Sequence, residues 1–314
     1  MIIKDTLLRD IGRLLVWFPF RWFIASSPYF IVRRFAVIMG FIDHIFSRSR
    51  RNQLINNIQI VFGNNRVAVS KIAKGVMITH YLNLLEFFKF PVINLNNIYD
   101  HISFEGKQIL DQIVMEGKGA ILATLHFGTM QYPLVALGHL GYKVNQLGDR
   151  DVNASEFSFI HRKVALKYRI RIEDSFKVNH IHISKSIKPI YQCLENGELL
   201  MINVDGVGGL KGQKLKKDYI IVNFLGNQVY MPTGAARVAR KMGVPIIPIN
   251  CLRQLDGKHK IIFDPPIYVQ KSEDRAVDVQ KCIQQIIFQL EKYIRKHPEQ
   301  WLLWMEFQKG YIIV

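Results

Sequence analysis

Cysteine is scarce: the 314 residues hold three, Cys193, Cys251 and Cys282, far apart and in no Cys-x-x-Cys or Cys/His spacing. That argues against a disulfide framework and a zinc site, and it fits a reducing compartment. No Gly-x-Gly-x-x-Gly or Walker pattern occurs, so the usual sequence signs of a dinucleotide or P-loop site are missing. There is no internal repeat, no low-complexity linker, and near the N-terminus no uninterrupted apolar run of the roughly 20 residues a bilayer span needs. No short apolar stretch ends in a small-residue cleavage site, which speaks against a secretory signal. Acidic residues are also short, 25 Asp and Glu against 42 Lys and Arg, leaving a formal charge of +17. A field of that sign attracts nucleic acid, anionic lipid headgroups and acidic carrier proteins alike.

Apolar side chains are plentiful, at 49% of the chain against 21% charged, enough for a sizeable core. The stretch from Leu14 to Phe46 reads LLVWFPFRWFIASSPYFIVRRFAVIMGFIDHIF, with Arg21, Arg33 and Arg34 breaking each apolar run. Aromatics interleaved with arginine suit one or two helices lying in a headgroup layer, guanidinium groups reaching lipid phosphates and rings reaching acyl chains. A buried helical hairpin is the competing reading, but core helices seldom carry Arg beside Trp. An anionic membrane surface is therefore the expected partner. Nucleic acid is not: zinc-finger spacing, an RNP-like aromatic motif and a basic heptad helix are all missing.

Three regions follow: interfacial anchor helices over residues 1–46, a helical cap over 47–103, and an α/β core over 104–314. In the cap, helices are expected from about Asn52 to Phe62 and from about Val67 to Phe90, ended by Pro91. From Phe104 onward, short apolar runs alternate with amphipathic segments, which predicts a mixed central sheet flanked by helices. Strands are expected at GAILATL near Ala120, around Val144, at ELLMINV near Leu200 and at PIIPINCL near Ile247. Helices are expected at about Gly106 to Met115, Thr129 to Leu140, Asn153 to Tyr168, Ile183 to Glu195, Thr233 to Met242 and Asp274 to Lys296. A hairpin joining DYIIVNFL to QVYM is expected to turn at Gly226 and Asn227.

The main chemical signal is TLHFGTMQ. An apolar strand ends at Leu125 and His126 follows at once, with Gly128 and Thr129 opening the next helix, so His126 belongs in the crevice beyond a strand's carboxyl end. Gln131, five residues on, is expected in the first turns of that helix with its amide toward the imidazole. A lone histidine is as readily a core residue as a functional one. Asp205 precedes a glycine-rich loop after the strand at Leu200 and reads equally as a site residue or a tight turn. Thr233 and Gly234 open a helix whose small residues let a phosphate or thioester approach backbone N–H groups. On that helix Arg237, Arg240 and Lys241 share one face, a candidate anion site or simply a solvated surface. The loop Lys211 to Asp218 is a candidate contact for lipid phosphate or an acidic carrier. Trp301 and Trp304 are expected to pack on the sheet rather than lie at an interface.

GKGAILATLHFGTMQ, NVDG at Asn203 to Gly206, FLGNQVYMPTGAARVARKMGVPIIPI and HPEQW at His297 to Trp301 occur in that order. Together they resemble the successive blocks of the late acyltransferases of lipid A biosynthesis, within the glycerolipid acyltransferase superfamily that shares a His-x4-Asp/Glu motif. The resemblance implies that His126 is the general base for an acceptor attacking an acyl thioester, with acyl carrier protein or coenzyme A as donor and no metal or other cofactor. It implies an acceptor hydroxyl or amine on a lipid A precursor or another lipid-like molecule, at the cytoplasmic face of a bacterial inner membrane. It also points to Arg150 as a phosphate-binding residue. Position 131 departs from the motif: Gln can accept one imidazole hydrogen bond but offers the imidazolium no charge. Asp205, Asp149 and Asp151 are the candidate substitutes. The alternative is a catalytically weakened relative that binds lipid or a partner protein.

Overall fold

The computed structural model describes residues 6–148, 158–182, 186–206 and 218–314. The chain opens with α1 (Leu7–Leu15) and α2 (Arg21–Ser26), joined by a π-helical turn over Val16–Phe20 that contains Pro19. Proline lacks the N–H that an α-helical turn needs, and the wider turn absorbs that loss. The buried ammonium of Lys89 donates to the carbonyl oxygens of Ala25 and Ser27, at 3.1 and 2.7 Å, closing the C-terminal end of α2.

Helix α3 (Tyr29–Phe46) packs along α5 (Arg66–Phe87) through Val32, Ala36 and Gly40, spaced four apart. A β-carbon on Gly40 would stand 2.7 Å from the Cα of Ile78, so glycine is what lets the two helices approach. Its other side leaves Phe30, Val37, Ile38, Phe41, Ile42, Ile45 and Phe46 exposed. Among the described residues no helix is long and apolar enough to cross a membrane. Two of the three arginines in this segment have protein partners: Arg21 lies over the Tyr168 ring at 4.5 Å, and Arg33 donates to the Leu255 carbonyl at 2.7 Å. Helix α4 (Arg48–Phe62) completes the helical layer, and two short helices, α6 (Ile98–His101) and α9 (Lys167–Asp174), follow later in the chain.

The seven-stranded sheet contains β1 (Ile102–Glu105), β2 (Ala120–Thr124), β3 (Val144–Gly148), β4 (Asn179–His182), β5 (Leu199–Asn203), β8 (Ile246–Arg253) and β9 (His259–Phe263). Their order is β1-β9-β8-β2-β5-β3-β4, and every adjacent pair is parallel except β8 with β9. Strand β2 is buried throughout, as a central parallel strand covered on both faces should be. Side-chain alternation sends Ile121, Ala123 and Leu125 into one hydrophobic core and Ala120 and Leu122 into the other. The first core is shared with α4, the start of α5, α10 (Lys188–Glu195), α11 (Gly234–Met242) and α12 (Arg275–Lys296). The second takes in α3, the end of α5, α7 (Lys107–Met115) and α8 (Tyr132–His139).

The hairpin forms from β6 (Tyr219–Phe224) and β7 (Asn227–Pro232), but its turn is Leu225–Gly226, one residue before the expected pair. Both turn residues have positive φ, 52° and 80°, the twist a two-residue hairpin requires. Strands β1, β4 and β9 were not expected; each is short and carries polar residues.

Candidate active site

Strands β2 and β5 lie side by side with Thr124 opposite Asn203, so both run out at the same level of the sheet. Two residues further on each, His126 and Asp205 meet. The His126 Nδ1 lies 2.7 Å from Asp205 Oδ1, and the His126 backbone N–H donates to Oδ2 at 2.9 Å. Trp301 Nε1 also donates to that oxygen, at 2.9 Å. The carboxylate side chain is 1% exposed and the imidazole 25%. An ionised carboxylate only accepts, so Nδ1 carries the proton and Nε2 is left as the basic nitrogen. The Asn203 amide Nδ2 donates to Nε2 at 3.2 Å. Burial works against the charged ring, but the Asp205 charge and hydrogen bond outweigh it, with Glu306 adding to them. His126 is thereby held above the ordinary histidine value.

The loop that presents His126 is fixed on all sides. Gly128 has φ +58°, and a β-carbon there would fall 1.9 Å from the Cys251 carbonyl oxygen. Its N–H donates to the Gln300 carbonyl at 2.8 Å, its own carbonyl accepts from Asn83 Nδ2 at 3.0 Å, and Leu302 N–H donates to the His126 carbonyl at 2.8 Å. The C-terminal tail thus brackets the loop; Trp301 and Trp304 are fully buried, as expected.

Behind the loop lies a buried polar cluster. Thr129 Oγ1 donates to Glu86 Oε2 at 2.6 Å, and Arg253 grips the same carboxylate through Nε and Nη2 at 2.8 and 2.7 Å. Tyr29 OH donates to Glu86 Oε1 at 2.9 Å, and the His259 ring stacks on Tyr132 with centroids 3.9 Å apart. Burial alone would raise the Glu86 carboxyl; the Arg253 guanidinium overrides it and holds Glu86 well below the usual carboxylate range. Burial lowers His259. Glu86, Arg253 and His259 were not among the expected site residues, although Glu86 is the lone acid in the apolar run LNLLEFF.

Gln131 does not take the expected place. It precedes the first residue of α8, and among the described residues its side chain makes no hydrogen bond to the His126 ring. Gly128 has a left-handed conformation and the helix starts only at Tyr132; the ring partners are Asp205, which supplies the carboxylate, and Asn203. Arg150, Asp149 and Asp151, the loop residues 211–217 and the first part of the expected helix from Asn153 lie outside the described residues.

Beside Asn203 opens a cleft of about 850 Å³. Apolar side chains form much of its wall, among them Ile187, Ile190, Tyr191 and Val238; Thr233, Gly234 and Arg237 line it as well. Thr233 is buried, its hydroxyl donating to the Asp218 carbonyl at 3.0 Å, and Arg237 pairs with the Asp218 carboxylate at 2.6 Å. Arg240 pairs with Asp278 at 2.7 Å and Lys241 lies over the Tyr191 ring at 4.1 Å, so the shared basic face is already partnered.

Residues 2–308 match the family model described as bacterial lipid A biosynthesis acyltransferase. Among solved structures, the 1-acyl-sn-glycerophosphate (LPA) acyltransferase PlsC from Thermotoga maritima is similar at 15% identity, covering 91% of this chain and 99% of that one with a TM-score of 0.36. No curated protein matches the chain. The family match spans the His126 loop, the Asp205 turn and the bracketing tail alike, and the chain belongs to the bacterial lipid A biosynthesis acyltransferases.

Proposed function

We propose that this protein transfers a fatty acyl group from an acyl thioester, carried by acyl carrier protein or coenzyme A, to a hydroxyl or amine of a lipid A precursor or related lipid. The observation that carries this reading is the half-buried imidazole with a buried carboxylate on Nδ1 and, on Nε2, the amide of Asn203, which itself lines a largely apolar cleft. The acceptor hydroxyl donates to Nε2, which removes its proton as the oxygen attacks the thioester carbonyl carbon. The tetrahedral intermediate expels the thiolate, which takes the proton back from Nε2. Asp205 holds the ring in the Nδ1–H tautomer and stabilises the imidazolium between the two steps. The cleft of about 850 Å³ accommodates the acyl chain, whose burial against its apolar wall also keeps water from the thioester.

The protein works at the cytoplasmic face of a bacterial inner membrane, docked by the apolar outer faces of α1 to α3 with basic residues beside them. Incubation with labelled acyl carrier protein and acyl coenzyme A, a lipid A precursor and phospholipid vesicles, followed by mass spectrometry of the lipids, tests this. An acylated precursor is expected. Release of free fatty acid alone, with every acceptor, contradicts acyl transfer.

A further inference from the structure

Asn203 occupies the point where the base meets the cleft. It is the last residue of β5, and the period-two alternation of an extended chain sends its side chain to the same side as Asp205, while Val204 between them is buried. The two therefore grip opposite nitrogens of one ring: Asp205 takes Nδ1 at 2.7 Å and the Asn203 amide donates to Nε2 at 3.2 Å. The same Nδ2 lies 3.6 Å from the Met130 sulfur, a weak acceptor, and Asn203 itself lines the cleft. An acceptor hydroxyl that donates to Nε2 must displace this amide, which leaves an N–H donor freed beside the oxygen about to attack.

We propose that Asn203 is the side-chain oxyanion donor of the site, an inference that rests on His126 being the base. In the resting protein its N–H caps the basic nitrogen. With substrates bound it turns to the thioester carbonyl oxygen. As the acceptor oxygen bonds to the carbonyl carbon, the carbonyl π pair moves onto its oxygen, and the amide N–H donates to that charge until the carbon–sulfur bond breaks. Donors of this kind act at about 2.7–3.1 Å, and loss of one typically lowers kcat by about 10²–10³.

The test uses the full-length chain. Asn203→Ala should lower kcat by about 10²–10³ with the donor KM within about threefold and the melting temperature unchanged. Asn203→Asp keeps the shape but faces the oxyanion with negative charge, and should be no faster than the alanine variant. An independent readout needs no substrate. The capping bond favours the neutral ring, so its removal in Asn203→Ala should move the His126 titration, followed by NMR, upward. Wild-type kcat in Asn203→Ala, full activity in Asn203→Asp, or an unmoved titration would each overturn the proposal. Retained transfer in His126→Ala is a different failure, that of the base itself.

Discussion

Asp205 governs both the tautomer and the basicity of His126, and the two effects are separable by pH. Catalysis by a neutral base rises as the ring loses its proton, so the acid limb of kcat/KM should lie above the ordinary histidine value, because Asp205 and Glu306 outweigh burial. Asp205→Asn removes the larger of the two charges and leaves burial opposed by Glu306 alone. Its profile should shift downward in pH while kcat falls by about 10²–10⁴. An unshifted limb would mean that another group sets the profile. Position 131 provides the contrast. Since Gln131 makes no hydrogen bond to the ring, Gln131→Ala and Gln131→Glu should both stay within about threefold of wild type in kcat/KM. A large gain in the glutamate variant would place residue 131 against the imidazole after all.

At the scale of elements, the β2–α8 loop is the site's foundation. Gly128→Ala forces a β-carbon into the Cys251 carbonyl and should abolish transfer while also lowering stability. Beneath the loop, Glu86→Gln leaves Arg253 buried without its anion. Breaking such a pair costs roughly 3–5 kcal/mol, which urea titration would register as a lower midpoint. An unchanged midpoint would mean that the cluster does not support the loop.

The same elements show what a sequence can and cannot display. Strands β2, β5 and β8 were legible because a strand covered on both faces reads as a nearly continuous apolar run, broken here only at a few positions such as Thr124, Asn203 and Asn250. Strands β1, β4 and β9 were not, since NHIH and ISFE carry too little periodicity to stand out. The His126–Asp205 contact joins residues 79 apart. It depends on the parallel register of β2 and β5, a tertiary quantity, so the sequence offers Asp205 beside Asp149 and Asp151 as a carboxylate for His126 without choosing among them. Gln131 was misplaced because spacing along a presumed helix assumed that the helix began at Thr129; the left-handed Gly128 delays it to Tyr132.

For the whole molecule, the exposed side of α3 and its neighbours bears on membrane docking. Inserting a side chain such as Phe41 or Ile42 into the acyl region is worth about 1.5–3 kcal/mol, and each nearby basic residue adds about 1 kcal/mol at an anionic surface. Phe41→Asp with Ile42→Asp should therefore weaken binding to anionic vesicles strongly in a protein that still folds, because both side chains face outward and a contact given up is that of the Phe41 ring with the Lys74 ammonium at 4.6 Å. High salt should release part of the wild type. Undiminished vesicle binding by the double variant would remove this face as the anchor. The most direct test of the account as a whole is turnover of the labelled acyl donor and lipid acceptor by His126→Ala, with circular dichroism and melting measured alongside. Transfer should fall by about 10²–10⁴ in a protein that is still folded; transfer at the wild-type rate would contradict the assignment of His126 as the base.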